Sequence, residues 1–137
     1  MTINDTDTDT LRRVLRNSHT IAVVGLSAEP DRPSYRVAKY LQAHGYRIVP
    51  VNPKHPEILG EKSYPDLASI PFAVDMVDVF RKAQDCVSVA QQAVAIGAKV
   101  LWLQLGVVND EAQQVAQAAG LTVVMDRCVK IDHANLL

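Results

Sequence analysis

Four basic side chains follow apolar runs of the chain at the points where those runs end: Arg32, Lys54, Arg81 and Arg127. The carboxyl ends of parallel strands meet at one edge of a sheet, so we expect these side chains to converge there. A guanidinium group binds phosphate through paired hydrogen bonds, and a lysine supplies a point charge. The pattern predicts a ligand with several phosphates; the alternative is that these loop residues are merely solvated.

A glycine, Gly25, ends the first apolar run, and a predicted helix follows soon after. Backbone N–H groups at such a turn, together with a helix N-terminus, bind anions in α/β proteins. The turn departs from the dinucleotide fingerprint, because Ser27 and Pro30 stand where that fingerprint requires glycines. Ser34 lies where the helix should begin, so its hydroxyl is expected to cap the helix, to bind phosphate, or to do both in turn.

The end of the second apolar run discriminates between ligands. A NAD site usually places Asp or Glu there to accept hydrogen bonds from the ribose hydroxyls, whereas this chain has Asn52, then Pro53 and Lys54. Lysine favours a phosphate at that position, as in NADP, but NADP would still require the missing glycine-rich turn. A NAD(P)-binding protein therefore stays an alternative and is not the favoured interpretation.

Five short runs rich in Val, Ile and Leu predict strands that are buried on both faces. They are Ile21–Val24, Arg47–Val51, Val74–Val79, Val100–Leu103 and Leu121–Met125. Helical patterns are found at Thr10–Asn17, Ser34–His44, Gln84–Ile96 and Asn109–Ala119. The alternation predicts an α/β fold, a Rossmann-like three-layer sandwich around a five-stranded parallel sheet in the order 3-2-1-4-5. Pro50 fits this order poorly, because it removes a donor from a strand placed inside the sheet.

Length and composition predict one ordinary globular domain. We expect it to span residues 10–137 after a polar, flexible tail at residues 1–9. The formal net charge of −1 argues against a nucleic-acid partner. Two cysteines, Cys86 and Cys128, make neither a disulfide framework nor a metal cluster. No apolar stretch reaches membrane-span length and the polar N-terminus is unlike a signal peptide, so we expect a cytoplasmic protein.

Several segments together resemble the small stand-alone CoA-binding proteins, which are similar to the N-terminal domain of succinyl-CoA synthetase α subunits. The segments are Ala22–Ser27, Pro30–Ser34, Tyr40–Leu41, Gly45–Tyr46, Val49–Pro53, Val77–Arg81, Leu101–Gly106 and Met125–Lys130. Each is short, but their order and spacing make the resemblance specific. It implies a Rossmann-like fold that binds coenzyme A or an acyl-CoA at the strand ends.

The resemblance also implies which residues contact the ligand. The phosphate portion would bind at Gly25, Leu26, Ser27, Arg32 and Ser34, and the nucleotide side at Asn52, Pro53 and Lys54. The adenine and pantetheine path would be lined by Val79, Phe80 and Arg81, with Gln104 and Gly106 nearby. Ligase chemistry is not implied, because the synthetases carry their phosphohistidine on a separate domain that has no counterpart in this chain.

Three classes of function stay open. The first is a CoA-binding module without catalysis, since no Ser-His-Asp order, paired carboxylates or metal spacing emerges. The second is an enzyme acting on a CoA ester or a nucleotide, with Cys128, Asp126 and His133 as candidates; a buried structural Cys128 and a solvated helix end at His133 are the commoner outcomes. The third is an interaction protein, such as a homodimer, in which CoA occupancy regulates a partner. Trp102 is expected in the core or the pocket wall rather than at an interface.

Overall fold

The computed structural model describes residues 7–137, and residues 1–6 of the predicted tail lie outside this range. In the described part of the chain the α-helices are α1 (Thr8–Asn17), α2 (Pro33–Ala43), α3 (Cys86–Ala95), α4 (Asp110–Ala118) and α5 (Val129–Leu136), and short 3-10 helices lie at Leu67–Ser69 and Ala83–Asp85. The strands are β1 (Thr20–Val24), β2 (Arg47–Val51), β3 (Glu57–Ile58), β4 (Glu61–Lys62), β5 (Met76–Val79), β6 (Val100–Leu103) and β7 (Thr122–Val124).

Five of these strands form one parallel sheet in the order β2-β1-β5-β6-β7, while β3 and β4 form a small antiparallel hairpin. The predicted α/β class and the five-stranded parallel sheet are confirmed. The predicted strand order is wrong: counted along the chain, the sheet strands lie 2-1-3-4-5 rather than 3-2-1-4-5. The third sheet strand therefore pairs with β1, not with the far side of β2.

Pro50 gives the physical reason for this order. It pairs in register with Val23 of β1, and its carbonyl faces away from β1 to accept a hydrogen bond from the Tyr64 N–H at 3.0 Å. Proline has no N–H, and the position that an N–H would occupy also faces this outer side of β2. The row of donors that another full strand would need is therefore interrupted there. A short stretch at Tyr64 covers this edge instead, and the Asn52 N–H donates to its carbonyl at 2.9 Å.

Helices cover both faces of the sheet, as a three-layer sandwich requires. On one face, Ile21 and Val23 of β1 pack in a buried cluster with residues of α1, α2 and α5. On the other, Ala22 and Val24 pack with residues of α3 and α4. Trp102 is fully buried under the first set of helices and donates its indole N–H to the Arg127 carbonyl at 2.8 Å, so it belongs to the core as predicted.

Helix α1 begins two residues before its predicted start. The carboxylate of Asp7 accepts a hydrogen bond from the Thr10 N–H at 2.7 Å, which makes Asp7 the N-cap residue. Asp7 to Asp9 of the predicted tail therefore belong to this helix and its cap.

Helix α5 is the element that the apolar pattern did not predict as a whole. It packs against α1 and α2, and it buries Asp132 together with His133, which was expected at a solvated helix end. The Tyr40 hydroxyl hydrogen-bonds the His133 Nδ1 at 2.8 Å, so packing against α2 explains why this histidine is removed from solvent. Burial, helped by the nearby His44, lowers the pKa of His133.

The topology places a crevice beside β1. From β1 the chain crosses through α2 to β2 on one side of β1. On the other side lies β5, from which the chain crosses through α3 to β6, farther from β1. Where the strand order diverges in this way, loops at the carboxyl ends separate and leave room for a ligand. The loops that follow β1, β5 and β6 therefore border the candidate site.

Candidate functional site

The turn after β1 has room for a glycine and for no larger residue. Gly25 adopts a φ of +84°, and its N–H donates to the Val51 carbonyl at 3.1 Å. A Cβ atom added here would collide with the carbonyl oxygen of Phe80, which directly follows β5. Gly25 therefore sets how closely the β1 turn and the β5 end approach each other.

Ser34 organises the same loop from the start of α2. Pro33 is the first helical residue and Arg32 the N-cap, so Ser34 lies two positions too late to cap the helix as predicted. Its Oγ instead accepts a hydrogen bond from the Ser27 N–H at 2.9 Å, while the Ser27 Oγ accepts from the Glu29 N–H at 3.1 Å. As an acceptor in this bond, the Ser34 hydroxyl keeps its own proton for donation to a ligand.

The N-terminus of α2 has no side-chain cap within the described part of the chain. Its first N–H groups and the positive end of the helix dipole therefore favour an anion. They lie beside a cavity of about 290 Å³, called the middle cavity here. Its lining residues are Gly25, Ser27, Arg32, Pro33, Ser34 and Phe80. Four of the five residues that the resemblance assigned to the phosphates are thus brought together.

A second, larger cavity of about 580 Å³ adjoins the middle cavity, because Pro33 and Phe80 line both. Its lining residues are Pro33, Val37, Phe80, Arg81, Lys82, Gln104, Leu105, Val107, Cys128 and Ile131. Only Phe80, Arg81 and Gln104 of this set were assigned to the ligand from the sequence. The others come mostly from α2, α5 and the loop after β6.

A third cavity, of about 310 Å³, lies at the end of β2 and is lined by Asn52, Pro53 and Lys54 among others. The Asn52 side chain is already occupied in two bonds: its Nδ2 donates to the Leu26 carbonyl at 2.9 Å, and its Oδ1 accepts from the Lys54 N–H at 2.8 Å. Asn52 therefore ties the β2 loop to the β1 loop. The ammonium of the exposed Lys54 is the charged group that this loop offers to a ligand.

The predicted basic residues are not equally available. Arg32 lines the middle cavity, where its Nε lies 3.2 Å from the Glu29 carboxylate in an exposed ion pair. Arg81 lines the large cavity and pairs with Asp85 at 3.3 Å. Both pairs are solvent-exposed, so each guanidinium can exchange its carboxylate for a phosphate at little cost.

Arg127 has a different role from the one that its position in the sequence suggested. It forms a bidentate pair with the carboxylate of Asp132, at 2.7 and 2.9 Å, and it lines none of the three cavities. The hydrogen bonds that Arg127 donates to Asp132 raise the pKa of the guanidinium. Because Asp132 is buried, this pair fixes α5 to the end of β7 rather than offering a charge to a ligand.

Three residues assigned by the resemblance line none of the three cavities. Leu26 and Val79 are fully buried in the core, so only their backbone is near the site. Gly106 donates its N–H to the Asp126 Oδ1 at 2.6 Å.

The Oε1 of Gln104 accepts from the Val129 N–H at 3.2 Å and so holds the first turn of α5 beside the large cavity.

The residues considered for catalysis do not form one catalytic arrangement. Cys128 lines the large cavity, whereas Asp126 is bound to the Gly106 N–H and His133 to the Tyr40 hydroxyl. Within residues 7–137 no group of three or more His, Cys, Asp or Glu side chains could hold a metal ion. In the same range, no helix has the length and apolar character needed to cross a bilayer.

Comparison with known sequences gives matches over most of the chain. Residues 19–134 match a family model described as a CoA binding domain. The uncharacterized protein YneT of Bacillus subtilis is 44% identical over 124 residues, covering 90% of this chain and 92% of that protein. Subunit alpha of the ADP-forming acetate–CoA ligase II of Pyrococcus furiosus is 29% identical over 135 residues, covering 88% of this chain but 29% of that subunit. The chain thus spans less than a third of the ligase subunit.

Solved structures share the fold. A hypothetical protein from Pyrococcus horikoshii OT3 superposes with a TM-score of 0.95 at 40% identity, covering 99% of this chain and 96% of that one. The cell-free ID.343 structure from Thermus thermophilus gives 0.91 at 34% identity, covering 96% and 99%. The dinucleotide-forming acetyl-coenzyme A synthetase 1 of Ca. Korarchaeum cryptofilum, at 24% identity and a TM-score of 0.74, covers 85% of this chain and 28% of its own, and shows the fold alone.

Proposed function

We propose, because this chain belongs to the CoA-binding domain family, that it binds coenzyme A or an acyl-CoA without chemistry of its own. The observation that carries the proposal is the middle cavity. An uncapped helix N-terminus, two serines and an arginine surround this cavity, and the larger cavity continues from it past Phe80. A ligand with a charged phosphate end and a long, less polar arm fits that arrangement.

Each part of CoA is assigned to one cavity. The pyrophosphate binds at Gly25, Ser27, Arg32 and Ser34, where backbone N–H groups, a hydroxyl and a guanidinium are close together. The nucleotide side binds at the β2 end, where Pro53 and Lys54 are exposed to the third cavity. The pantetheine arm passes Phe80 and enters the larger cavity near Arg81 and Gln104. Leu26, Val79, Asn52 and Gly106 support these loops from behind.

Absence of catalysis is part of the proposal, and it is supported by the separate places of Cys128 in the larger cavity, Asp126 on the Gly106 N–H and His133 on the Tyr40 hydroxyl. A general base must reach the group that it activates, and neither Asp126 nor His133 is bonded to Cys128. Acetyl-CoA incubated with the protein and followed by mass spectrometry is expected to stay intact. Thioester loss faster than in buffer alone would overturn this part of the proposal and favour the enzyme alternative.

Replacing Ser34 with alanine tests the phosphate assignment. The change removes the acceptor of the Ser27 N–H and the hydroxyl donor in the middle cavity. Hydrogen bonds to charged groups contribute about 1.5–3 kcal/mol, so we expect the Kd for CoA in calorimetry to rise about tenfold or more. Ser69→Ala is the control, because Ser69 bonds Asp66 in a separate turn and lines none of the cavities. An unchanged Kd in Ser34→Ala would remove this serine from the site.

The proposal includes a regulatory role, through a partner protein or a second copy of the chain. If CoA occupancy controls assembly in the cytoplasm, light scattering after size exclusion should show a change of mass on adding CoA. The same mass with and without CoA would argue against assembly as the output and leave the binding function in place.

A further inference from the structure

We propose that the larger cavity holds the acyl chain of a medium-chain acyl-CoA, so that this protein distinguishes acylated CoA from free CoA. The inference rests on the proposed function, since the CoA portion must bind at the middle cavity for its thioester end to arrive here. The first observation is continuity: Pro33 and Phe80 belong to the walls of both cavities. A ligand that is held by its phosphates therefore extends directly into the larger one.

The lining of the larger cavity is suited to a hydrocarbon chain. Val37 of α2, Val107 of the β6 loop, and Cys128 and Ile131 at α5 contribute apolar side chains from three sides. Of its polar side chains, Gln104 already accepts a hydrogen bond from the first turn of α5, while Lys82 and Arg81, which is paired with Asp85, are both exposed to solvent. The amides of the pantetheine arm stay near Arg81 and Gln104, because deeper in this cavity they would lose hydrogen bonds, whereas the hydrocarbon part of an acyl chain has no polar group to satisfy.

Exposed apolar side chains lie at the larger cavity. In the described part of the chain, four large apolar residues are exposed: Leu105, Val108, Ile131 and Leu137. The two most exposed, Leu105 at 66% and Ile131 at 52%, both line the larger cavity. Apolar surface left in water beside a cavity gains free energy when an apolar ligand covers it. Free CoA ends in a thiol and covers little of this surface, which is why we assign the part of the cavity beyond the pantetheine arm to the acyl chain.

The experiment is a series of calorimetric titrations with CoA, acetyl-, butyryl-, hexanoyl- and octanoyl-CoA. Burial of one methylene is worth about 0.8 kcal/mol, so affinity should rise by up to about fourfold per methylene until the cavity is filled. A steady increase from acetyl- to octanoyl-CoA is the expected result. CoA binding with equal affinity along the series would overturn the acyl proposal and leave the CoA function standing.

Two variants separate this cavity from general hydrophobic binding. Ile131→Ser should lower the ratio of octanoyl-CoA to CoA affinity about fivefold to tenfold, because it removes an apolar wall of the cavity. Val108→Ser is the matched control: Val108 is also an exposed apolar residue, at 38%, but it does not line the cavity, so the ratio should not change. A ratio that is unaffected by Ile131→Ser, or equally reduced by Val108→Ser, would overturn the proposal. Failure of every CoA species to bind would instead overturn the proposed function.

Discussion

Gly25→Ala is expected to abolish CoA binding at millimolar ligand and to lower the free energy of unfolding by about 2–5 kcal/mol. Two penalties combine at this position. A Cβ is unfavourable at a φ of +84°, and it would also collide with the Phe80 carbonyl oxygen. The turn after β1 must then move away from the end of β5, and the middle cavity that both of them line is distorted.

The control for this variant is Gly45→Ala. Gly45 also has a positive φ, +93°, but a Cβ there meets no atom within 4 Å. It should cost about 1–2 kcal/mol from backbone strain alone and leave CoA affinity unchanged. Urea unfolding and calorimetry measure both quantities in both variants. Equal destabilisation by the two changes, or normal CoA binding by Gly25→Ala, would show that contact with Phe80 does not shape the site.

Asp78→Val is expected to raise the free energy of unfolding at pH 8 by about 1–3 kcal/mol. Asp78 lies in the middle of β5, between Val23 and Trp102 of the neighbouring strands, and is completely buried. Neither carboxylate oxygen has a hydrogen-bond partner within residues 7–137. Such a group costs free energy on folding, and valine fits a buried strand without a polar group.

The contribution of Asp78 to the free energy of unfolding should decrease as pH rises. Burial raises the pKa of Asp78 well above its ordinary value of 3.8, so the folded chain binds this proton more tightly than the unfolded chain does. The stability that this difference contributes is complete below pH 3.8 and is lost as pH rises from there through the folded-state pKa. Asp78→Asn, which keeps the polar group but cannot titrate, should therefore lose this dependence.

Asp75, three residues before Asp78, provides a control in which the pKa shifts in the opposite direction. Its burial acts to raise the pKa, but hydrogen bonds from the Thr20 and His19 N–H groups outweigh burial and lower it. Asp75→Asn should reduce stability at pH 8, where Asp78→Val increases it. Urea unfolding at pH 5 and pH 8 distinguishes these cases. A loss of stability in Asp78→Val at pH 8 would mean that the carboxylate is satisfied in solution.

The sheet could be predicted because its strands are continuous apolar runs, and such runs are distinctive in a short chain. The order of the strands could not, because apolar character does not record which edge of β2 is paired. Pro50 carried that information: read as a mark of an unpaired outer edge, it would have indicated that the third sheet strand lies beside β1.

The candidate site could be predicted in part because its residues follow the ends of recognisable strands. Gly25 and Ser34 lie in the loop and helix start that follow β1, and Phe80 directly follows β5, so sequence position placed them near one another. The larger cavity could not be predicted because one wall belongs to α5, a helix of eight residues with an irregular apolar pattern. Ile131 becomes a lining residue only when Asp132 and His133 turn toward the protein.

The most direct measurement is a competition followed by native mass spectrometry. The protein is mixed with equal concentrations of CoA, acetyl-CoA, NAD, NADP and ATP, and the mass of each complex is read intact. One CoA or acetyl-CoA per chain is expected, with the Gly45→Ala variant unchanged and the Gly25→Ala variant free of ligand. A chain that takes up NAD, NADP or ATP in preference, or none of the five, would contradict the assignment of these cavities to coenzyme A.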